Sequence, residues 1–280
     1  MLTLIRTRGP LGRAGRPRRA AAVALAVAAA VPLAASCAAG TSVLDKDALV
    51  VGVKKDQPGL GMLVSGRFEG FDVDVANYVA AKLGKRANFV PVTSGEREKA
   101  LIDGRVDLIF ATYSITPERK TKVGFGGPYY VAHQDTLVRT GQARIDNVRD
   151  LRGRKLCQVT GSNSWKRVKE ERKVPVALVP SESYSECVKD LRSGKVDAVS
   201  TDDLILAGFA TPGTAIVNAP FSDEKYGVGI RSGDIDGCEA VNKALTEMYQ
   251  DGTAKKLLQK WFAKSGLALT FSVPQFEGCG

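Results

Sequence analysis

The side chains able to do covalent or metal chemistry are few, and their scarcity narrows what the chain can be. There is one histidine, His133, inside a run that reads as a strand. No Ser/His/Asp or Cys/His arrangement has support there, and a hydrogen-bonded structural role suits the position better. Cys37 stands apart near the start. Cys157, Cys187, Cys238 and Cys279 contain no close pair, so they do not fit a zinc site, and no metal or cofactor is expected. Their even number suits pairing in an oxidising compartment, with three pairings open and four buried free thiols as the alternative. More informative are two polar strand ends. Leu101-Ile-Asp-Gly-Arg-Val-Asp-Leu-Ile-Phe-Ala-Thr112 aligns without gaps to Leu191-Arg-Ser-Gly-Lys-Val-Asp-Ala-Val-Ser-Thr-Asp202. Each copy reads as a helix end, a glycine cap, a basic residue, Val-Asp and a strand that finishes in polar residues. Ligands of open α/β sheets bind beyond the carboxyl ends of strands, so Thr112 and Asp202 are expected to face one shared cleft.

The elements that position these residues follow an alternating pattern. Leu49 to Val53 is a short Val-rich run suited to a buried parallel strand. Turn residues Pro58-Gly59-Leu60-Gly61 come next. Phe71, Val75, Tyr78, Val79 and Leu83 then fall at helical spacing, with Gly84 as a stop. A strand over 88–92, a helix over 96–102 and a strand over 106–111 complete a βαβα order, which predicts α/β with a parallel sheet. The strand at Lys155 to Val159, followed by Thr160-Gly161-Ser162-Asn163-Ser164, repeats the opening strand and its glycine turn. Two similar α/β lobes are therefore expected.

Composition places the chain among exported globular proteins. With 280 residues, 44% hydrophobic and 25% charged, it can bury a full core. The formal charge of +10 is unevenly spread: Arg6, Arg8, Arg13, Arg16, Arg18 and Arg19 precede any acidic residue. Removing these six from the 40 basic residues leaves 34 against 30 acidic ones, a balance of +4. No basic stripe with interleaved aromatics follows, so a nucleic-acid partner is not expected. The basic start, the apolar run Ala20 to Ala35 and the small residues before Cys37 read as a secretion signal. A membrane span is the alternative, but the run is Ala-rich, broken by Pro32 and short of the roughly 18 to 20 strongly apolar residues a span needs.

Several motifs together resemble the amino-acid-binding proteins of ATP-driven (ABC) importers, solute-binding protein family 3, and within them the glutamate-binding lipoproteins of actinobacteria. They are Gly52-Val-Lys-Lys-Asp-Gln-Pro-Gly-Leu-Gly61, Gly70-Phe-Asp-Val-Asp-Val75, Ala111-Thr-Tyr-Ser-Ile-Thr-Pro-Glu-Arg-Lys120, Gly127-Pro-Tyr-Tyr130, Gly161 to Ser164 and Lys260-Trp-Phe262. The resemblance spans Leu49 to about Phe262. It implies a two-lobed, periplasmic-binding-protein-like fold of type II, with two sheet lobes joined by a two-strand hinge. The implied division is a lipoprotein signal peptide (1–36), a tether (37–47), a first lobe (48–128 and 227–280), a second lobe (134–221) and hinge crossings (129–133 and 222–226). Leu33-Ala34-Ala35-Ser36-Cys37 is similar to a lipoprotein cleavage site, its large apolar residue one place early. Lipid on Cys37 would hold the protein on the outer face of the cell membrane. The expected disulfides are Cys157–Cys187 and Cys238–Cys279, the second tying the C-terminal tail back to its lobe.

The same resemblance assigns the ligand site. A buried amino acid must have both charged ends matched. Arg119 aligns with the arginine whose planar fork takes an α-carboxylate, Thr112 and Ser114 with neighbouring ligand positions, and Asp202 with the acceptor of the α-ammonium. Ser162, Asn163 and Ser164 sit where a helix starts, so their N–H groups are expected to supplement the carboxylate clamp. Thr93-Ser94-Gly-Glu-Arg97 resembles the stretch in which an arginine meets a side-chain carboxylate, and Lys54 matches a second basic position there. The expected ligand is glutamate or aspartate, and the expected partner is an importer permease served by a monomeric protein. The alternatives are a surface ion pair of Arg97 with Glu96 or Glu98, and a solvated Lys54. For the whole chain they are a dehydratase of the same fold or a ligand-sensing module.

Overall fold

The computed structural model describes residues 41–142 and 144–279. The expected signal segment and Cys37 lie outside them. The first half of the alternation forms β1 (Ala48–Val53), α1 (Phe71–Lys82), β2 (Arg86–Pro91), α2 (Arg97–Ile102) and β3 (Leu108–Phe110). β1 lies between β2 and β3, parallel to both. The helical spacing of α1 has its expected effect, with Phe71, Val75 and Val79 buried on one face. The second half forms β4 (Gly124–Arg139), β5 (Lys155–Val159), β6 (Ala177–Ser181), α3 (Tyr184–Ser193), β7 (Ala198–Asp202) and α4 (Asp203–Phe209). Here β5 is the central parallel strand, with β6 and β7 beside it.

Two long strands join the halves. β4 and β8 (Ser222–Ile230) pair antiparallel, from Ser222 opposite Gln134 to Ile230 opposite Gly124. β8 also pairs with β3, and β4 with β7. The spatial order is β2-β1-β3-β8-β4-β7-β5-β6, two groups of three parallel strands, each bordered by one antiparallel strand that continues into the other group. This is the two-lobed α/β architecture expected from the sequence. Segments 129–133 and 222–226 face each other within the long pair. Two further helices, α5 (Ile235–Gln250) and α6 (Thr253–Phe262), return the chain to the first lobe, where Phe262 packs edge-on against Phe71.

The repeated Val-Asp step has a physical cause. Asp107 accepts from the Val50 N–H at 2.7 Å and donates its own N–H to the Val50 carbonyl at 2.7 Å. Asp197 does the same to Lys155, at 2.8 Å each way. Each aspartate thus supplies a partner to the amide of the neighbouring parallel strand just before the ladder between the two strands begins, at Val51 opposite Leu108 and at Leu156 opposite Ala198. The preceding glycines, Gly104 and Gly194, have φ of 67° and 82°, the left-handed cap that ends the helix.

One boundary differs from the expectation. Residues 42–46, read as the end of a polar tether, dock on the first lobe: the Ser42 hydroxyl and the Val43 N–H bind Asp234 at 2.7 and 2.9 Å, and Val43 is buried. The Asp234 carboxylate that caps α5 has acceptor capacity to spare, and the Ser42 hydroxyl and the Val43 backbone fill it.

Cys157 is joined to Cys187, linking β5 to α3, and Cys238 to Cys279, linking α5 to the tail. The tail lies along the crossing strands: the Glu277 N–H donates to the Gly127 carbonyl at 3.0 Å, and its carboxylate meets Lys225 at 2.9 Å. The bridged residues are 30 and 41 positions apart. Loops of that length correspond to about 3 to 4 kcal/mol of lost unfolded-state entropy each. Replacing both cysteines of either pair by serine is expected to lower the unfolding free energy by about that amount in urea titration. Peptide mapping without reduction should recover these two pairs, and a cross-pair would contradict the assignment.

Candidate functional site

The two repeated strand ends converge. Thr112 and Asp202 line one small polar cavity together with Ser94, Arg97, Ser114, Ser162, Asn163, Ser164, Tyr184 and Ile205. Seven of the nine ligand residues expected from the sequence are thus in contact with a single space. The remaining two stand directly behind it. Lys54 donates from Nζ to the Ser94 hydroxyl at 2.8 Å, and Arg119 shares an acceptor with Arg97. The cavity is only about 10 Å³, on the order of one water molecule, because the lobes meet across it. Wider clefts of about 560 and 540 Å³ flank it, one beside Lys54 and Tyr184, the other beside Arg119 and Asn163.

The shared acceptor is the Gly161 carbonyl of the second lobe, which receives Nη2 of Arg97 at 3.2 Å and Nη2 of Arg119 at 3.0 Å. Only glycine fits there. A Cβ at Gly161 would lie 2.5 Å from the Gly95 Cα of the opposite lobe, and φ is +73°.

Arg97 is 2% exposed. It donates to the carbonyls of Ser94 (3.2 Å), Ala111 (3.0 Å) and Thr112 (3.1 Å). The surface ion-pair alternative is therefore wrong. Glu96 turns back to accept from the Thr93 N–H at 2.9 Å, and Glu98 lies 3.5 Å from Arg119 Nε. Burial, then the nearby Arg119 charge, pushes the Arg97 guanidinium down to about 10. Arg119 is held by its Nη1 bond to the Ser114 carbonyl at 2.7 Å, and Thr116 caps the helical turn that carries it. Lys54 is not solvated either. It is 3% exposed, and burial followed by the Arg97 charge holds it well below the usual lysine range.

On the opposite side of the cavity, Asp202 is 4% exposed, and its carboxyl is pushed well up by burial and then by the charge of Glu224. The turn at 162–164 differs from the expected anion cradle. Its helix begins at Ser164, the Ser162 N–H donates to the Val159 carbonyl, and the Ser164 N–H to the Ser162 hydroxyl. Both hydroxyls bond the Tyr184 hydroxyl, at 2.6 and 2.9 Å. These serines use their N–H groups within the turn and present oxygen atoms to the cavity. His133 pairs across the long strands with Asp223 at 2.9 Å, away from the cavity lining.

Several residues were missed in the sequence. Asp72, fully buried, accepts from the Thr112 N–H at 2.9 Å and from the Tyr129 hydroxyl at 2.8 Å. This holds Thr112 at φ 46°, a conformation β-branched residues rarely adopt. The Gly70-to-Val75 motif contained Asp72, but nothing in it said which aspartate turns inward. Glu224, 1% exposed on β8, accepts from Arg167 at 2.7 Å and from Asn163 at 3.2 Å. Tyr113 lies against both arginines.

The pattern shared by bacterial extracellular solute-binding proteins, family 3, matches residues 49–264. The chain belongs to this family. It is 37% identical to the glutamate-binding protein GluB of Corynebacterium glutamicum, over 82% of this chain and 84% of that one. It is 38% identical to the ABC transporter glutamine-binding protein GlnH of Bacillus subtilis, over 79% and 83%. Among solved structures, an ancestral amino acid-binding protein that is a precursor of cyclohexadienyl dehydratase is similar at a TM-score of 0.73 and 33% identity, over 79% of this chain and 97% of that one. The family thus includes relatives named for different amino acids, glutamate and glutamine among them.

Burial pushes the Asp72 carboxyl up to about 6. A raised value in the folded state means that the fold holds this proton more tightly than the unfolded chain does. The contribution is present below the unfolded value near 3.8 and lost as pH rises through about 6. Asp72→Asn keeps an acceptor for Thr112 and an amide for Tyr129. Its stability in urea is expected to decline less than wild type between pH 4 and 7, by on the order of 3 kcal/mol at most.

Proposed function

We propose that this protein is the extracytoplasmic binding component of an ABC amino-acid importer and captures glutamate or aspartate by closing its two lobes. The observation that carries this reading is the convergence of buried Arg97 and Arg119 on one oxygen position, with Lys54 behind them and Asp202 across the cavity. Arg119 receives the α-carboxylate, Asp202 the α-ammonium, and Arg97 with Lys54 the side-chain carboxylate. Oxygen atoms from Thr112, Ser114 and the 162–164 turn complete the shell. A dicarboxylate supplies the negative charge that three neighbouring cations call for, at a place where water does not screen them.

Closure follows from the same geometry. Arg119 stands in the first lobe and Asp202 in the second, so a ligand touching both favours the closed state by its differential affinity. The paired segments 129–133 and 222–226 serve as the hinge between lobes 48–128 with 227–280 and 134–221. Lipid on Cys37, linked through residues 38–41, keeps the binder near its permease, and it acts as a monomer. Binding rather than dehydration is favoured by the relatives' names and by the place of His133 outside the cavity lining.

Arg119→Ala removes a contact that every amino acid uses, so affinity for all of them should collapse. Arg97→Gln strips the partner of the side chain alone. A hydrogen bond to a charged group is worth roughly 1.5 to 3 kcal/mol, so the glutamate-to-glutamine affinity ratio should drop about ten- to a hundredfold in calorimetry. Because Arg97 also ties four carbonyls, the ratio and not the absolute affinity is the readout. An unchanged ratio would remove acidic selectivity from the proposal.

A pH dependence follows from Asp202. The ligand's ammonium needs the ionised carboxylate, while burial favours the neutral form. Affinity is expected to fall as pH is lowered through this raised titration. Asp202→Asn should weaken binding about ten- to a hundredfold and flatten the decline.

A further inference from the structure

We propose that Tyr113 is a positioning residue whose ring holds the guanidiniums of Arg97 and Arg119 as a pair, so that a ligand with two carboxylates meets both. This rests on the dicarboxylate reading above. The ring centroid lies 4.4 Å from Cζ of Arg97 and 4.9 Å from Cζ of Arg119. Tyr113 is fully buried, and its hydroxyl has no hydrogen-bond partner among the described residues. The ring is fixed in place by Phe125, centroid to centroid 4.8 Å, and by the bare backbone of Gly229, where a Cβ would fall 3.0 Å from ring atoms.

Two guanidiniums that donate to one carbonyl oxygen repel each other, and the repulsion is strong where water is excluded. A carboxylate placed between them would relieve it, but would also neutralise the charge that a dicarboxylate ligand needs. An aromatic face attracts both cations through its quadrupole and adds no net charge. The position therefore calls for a π-face. It does not call for the hydroxyl, which makes no hydrogen bond of normal length and angle although the Glu98 carboxylate lies near enough to act on it, nor for apolar volume alone. Glu98, the nearest acid to the pair at 3.5 Å from Arg119 Nε, meets only one of the two cations.

The test compares Tyr113→Phe, which keeps the face, with Tyr113→Leu, which keeps much of the volume but not the face. The first readout needs no ligand. In NMR spectra of full-length protein labelled with ¹⁵N-arginine, the Nε–H signals of Arg97 and Arg119, assigned with Arg97→Lys and Arg119→Lys, should carry ring-current displacements. Wild type and Tyr113→Phe should share these, and Tyr113→Leu should lose them. The second readout is calorimetric affinity for glutamate and glutamine. Tyr113→Phe should stay within about twofold of wild type for both. Tyr113→Leu should bind glutamate at least about tenfold more weakly, with a reduced glutamate-to-glutamine ratio. Arginine signals indifferent to the ring would overturn the positioning role. Signals that move in Tyr113→Leu with the ratio unaltered would overturn its part in recognition. If Tyr113→Leu does not fold, a loss of tenfold or more in Tyr113→Phe overturns the proposal by assigning the role to the hydroxyl. A wild-type protein indifferent between glutamate and glutamine would overturn the dicarboxylate reading itself, while ring-dependent arginine signals would still establish the hold on the pair.

Discussion

The constraint on which the rest of the site depends is the burial of like charges. Arg97, Arg119 and Lys54 lie together, each less than a tenth exposed, and among the described residues neither Arg97 nor Lys54 has a carboxylate within ion-pair distance. Buried cations are tolerable only if their N–H groups are satisfied and their field is answered. Backbone carbonyls answer most of the hydrogen bonding: those of Ser94, Ala111, Thr112, Ser114 and Gly161 all accept from the two arginines. This explains why the chain turns its carbonyl groups inward at the strand end, and why Thr112 is held at φ 46°.

That local demand is met by elements from both lobes, which links chemistry to architecture. The first lobe supplies the cations from the end of β1, from α2 and from the helical turn after β3. The second supplies Gly161, the serine turn and Asp202 from the ends of β5 and β7. The internal repeat makes this possible, because each lobe carries a strand end aimed at the same gap. Gly95 and Gly161 face each other across the gap, and a Cβ on Gly161, 2.5 Å from the Gly95 Cα, would keep the arginines away from their shared acceptor.

The crossing strands carry more than mechanical continuity. Glu224 on β8 reaches Arg167 and Asn163 and adds its charge to the burial that raises the Asp202 carboxyl, so the strand pair that joins the lobes also tunes the acidic end of the cavity. The tail crosses the same pair and is pinned by Cys238–Cys279 and by Glu277 on Lys225. The crossing strands are therefore braced on one side by Asn163 of the 162–164 turn and on the other by the tail.

Much of this was legible in the sequence. Helical spacing in α1, the Val-rich β1 and the repeated Val-Asp step record local and nearest-strand requirements, and those are written in contiguous residues. The two-lobed fold, the convergence of Thr112 with Asp202 and both cysteine pairs followed from such patterns and from the resemblance they carry. What the sequence could not distinguish was which polar side chains turn inward. Asp72 and Asp74 share one motif, yet Asp72 is buried against Thr112 and Tyr129 while Asp74 bonds Lys260 and Trp261 at the surface. For Arg97, expected to meet ligand, the sequence left a surface ion pair with Glu96 or Glu98 open as the alternative, and only the covering lobe shows the arginine buried. Tyr113 read as one residue of a motif and proved to lie against both guanidiniums. Pairing at these positions reaches far along the chain, 64 places from Arg97 to Gly161 and 187 from Asp74 to Trp261. Only the folded chain brings such partners within reach, which is why tertiary structure alone decided them.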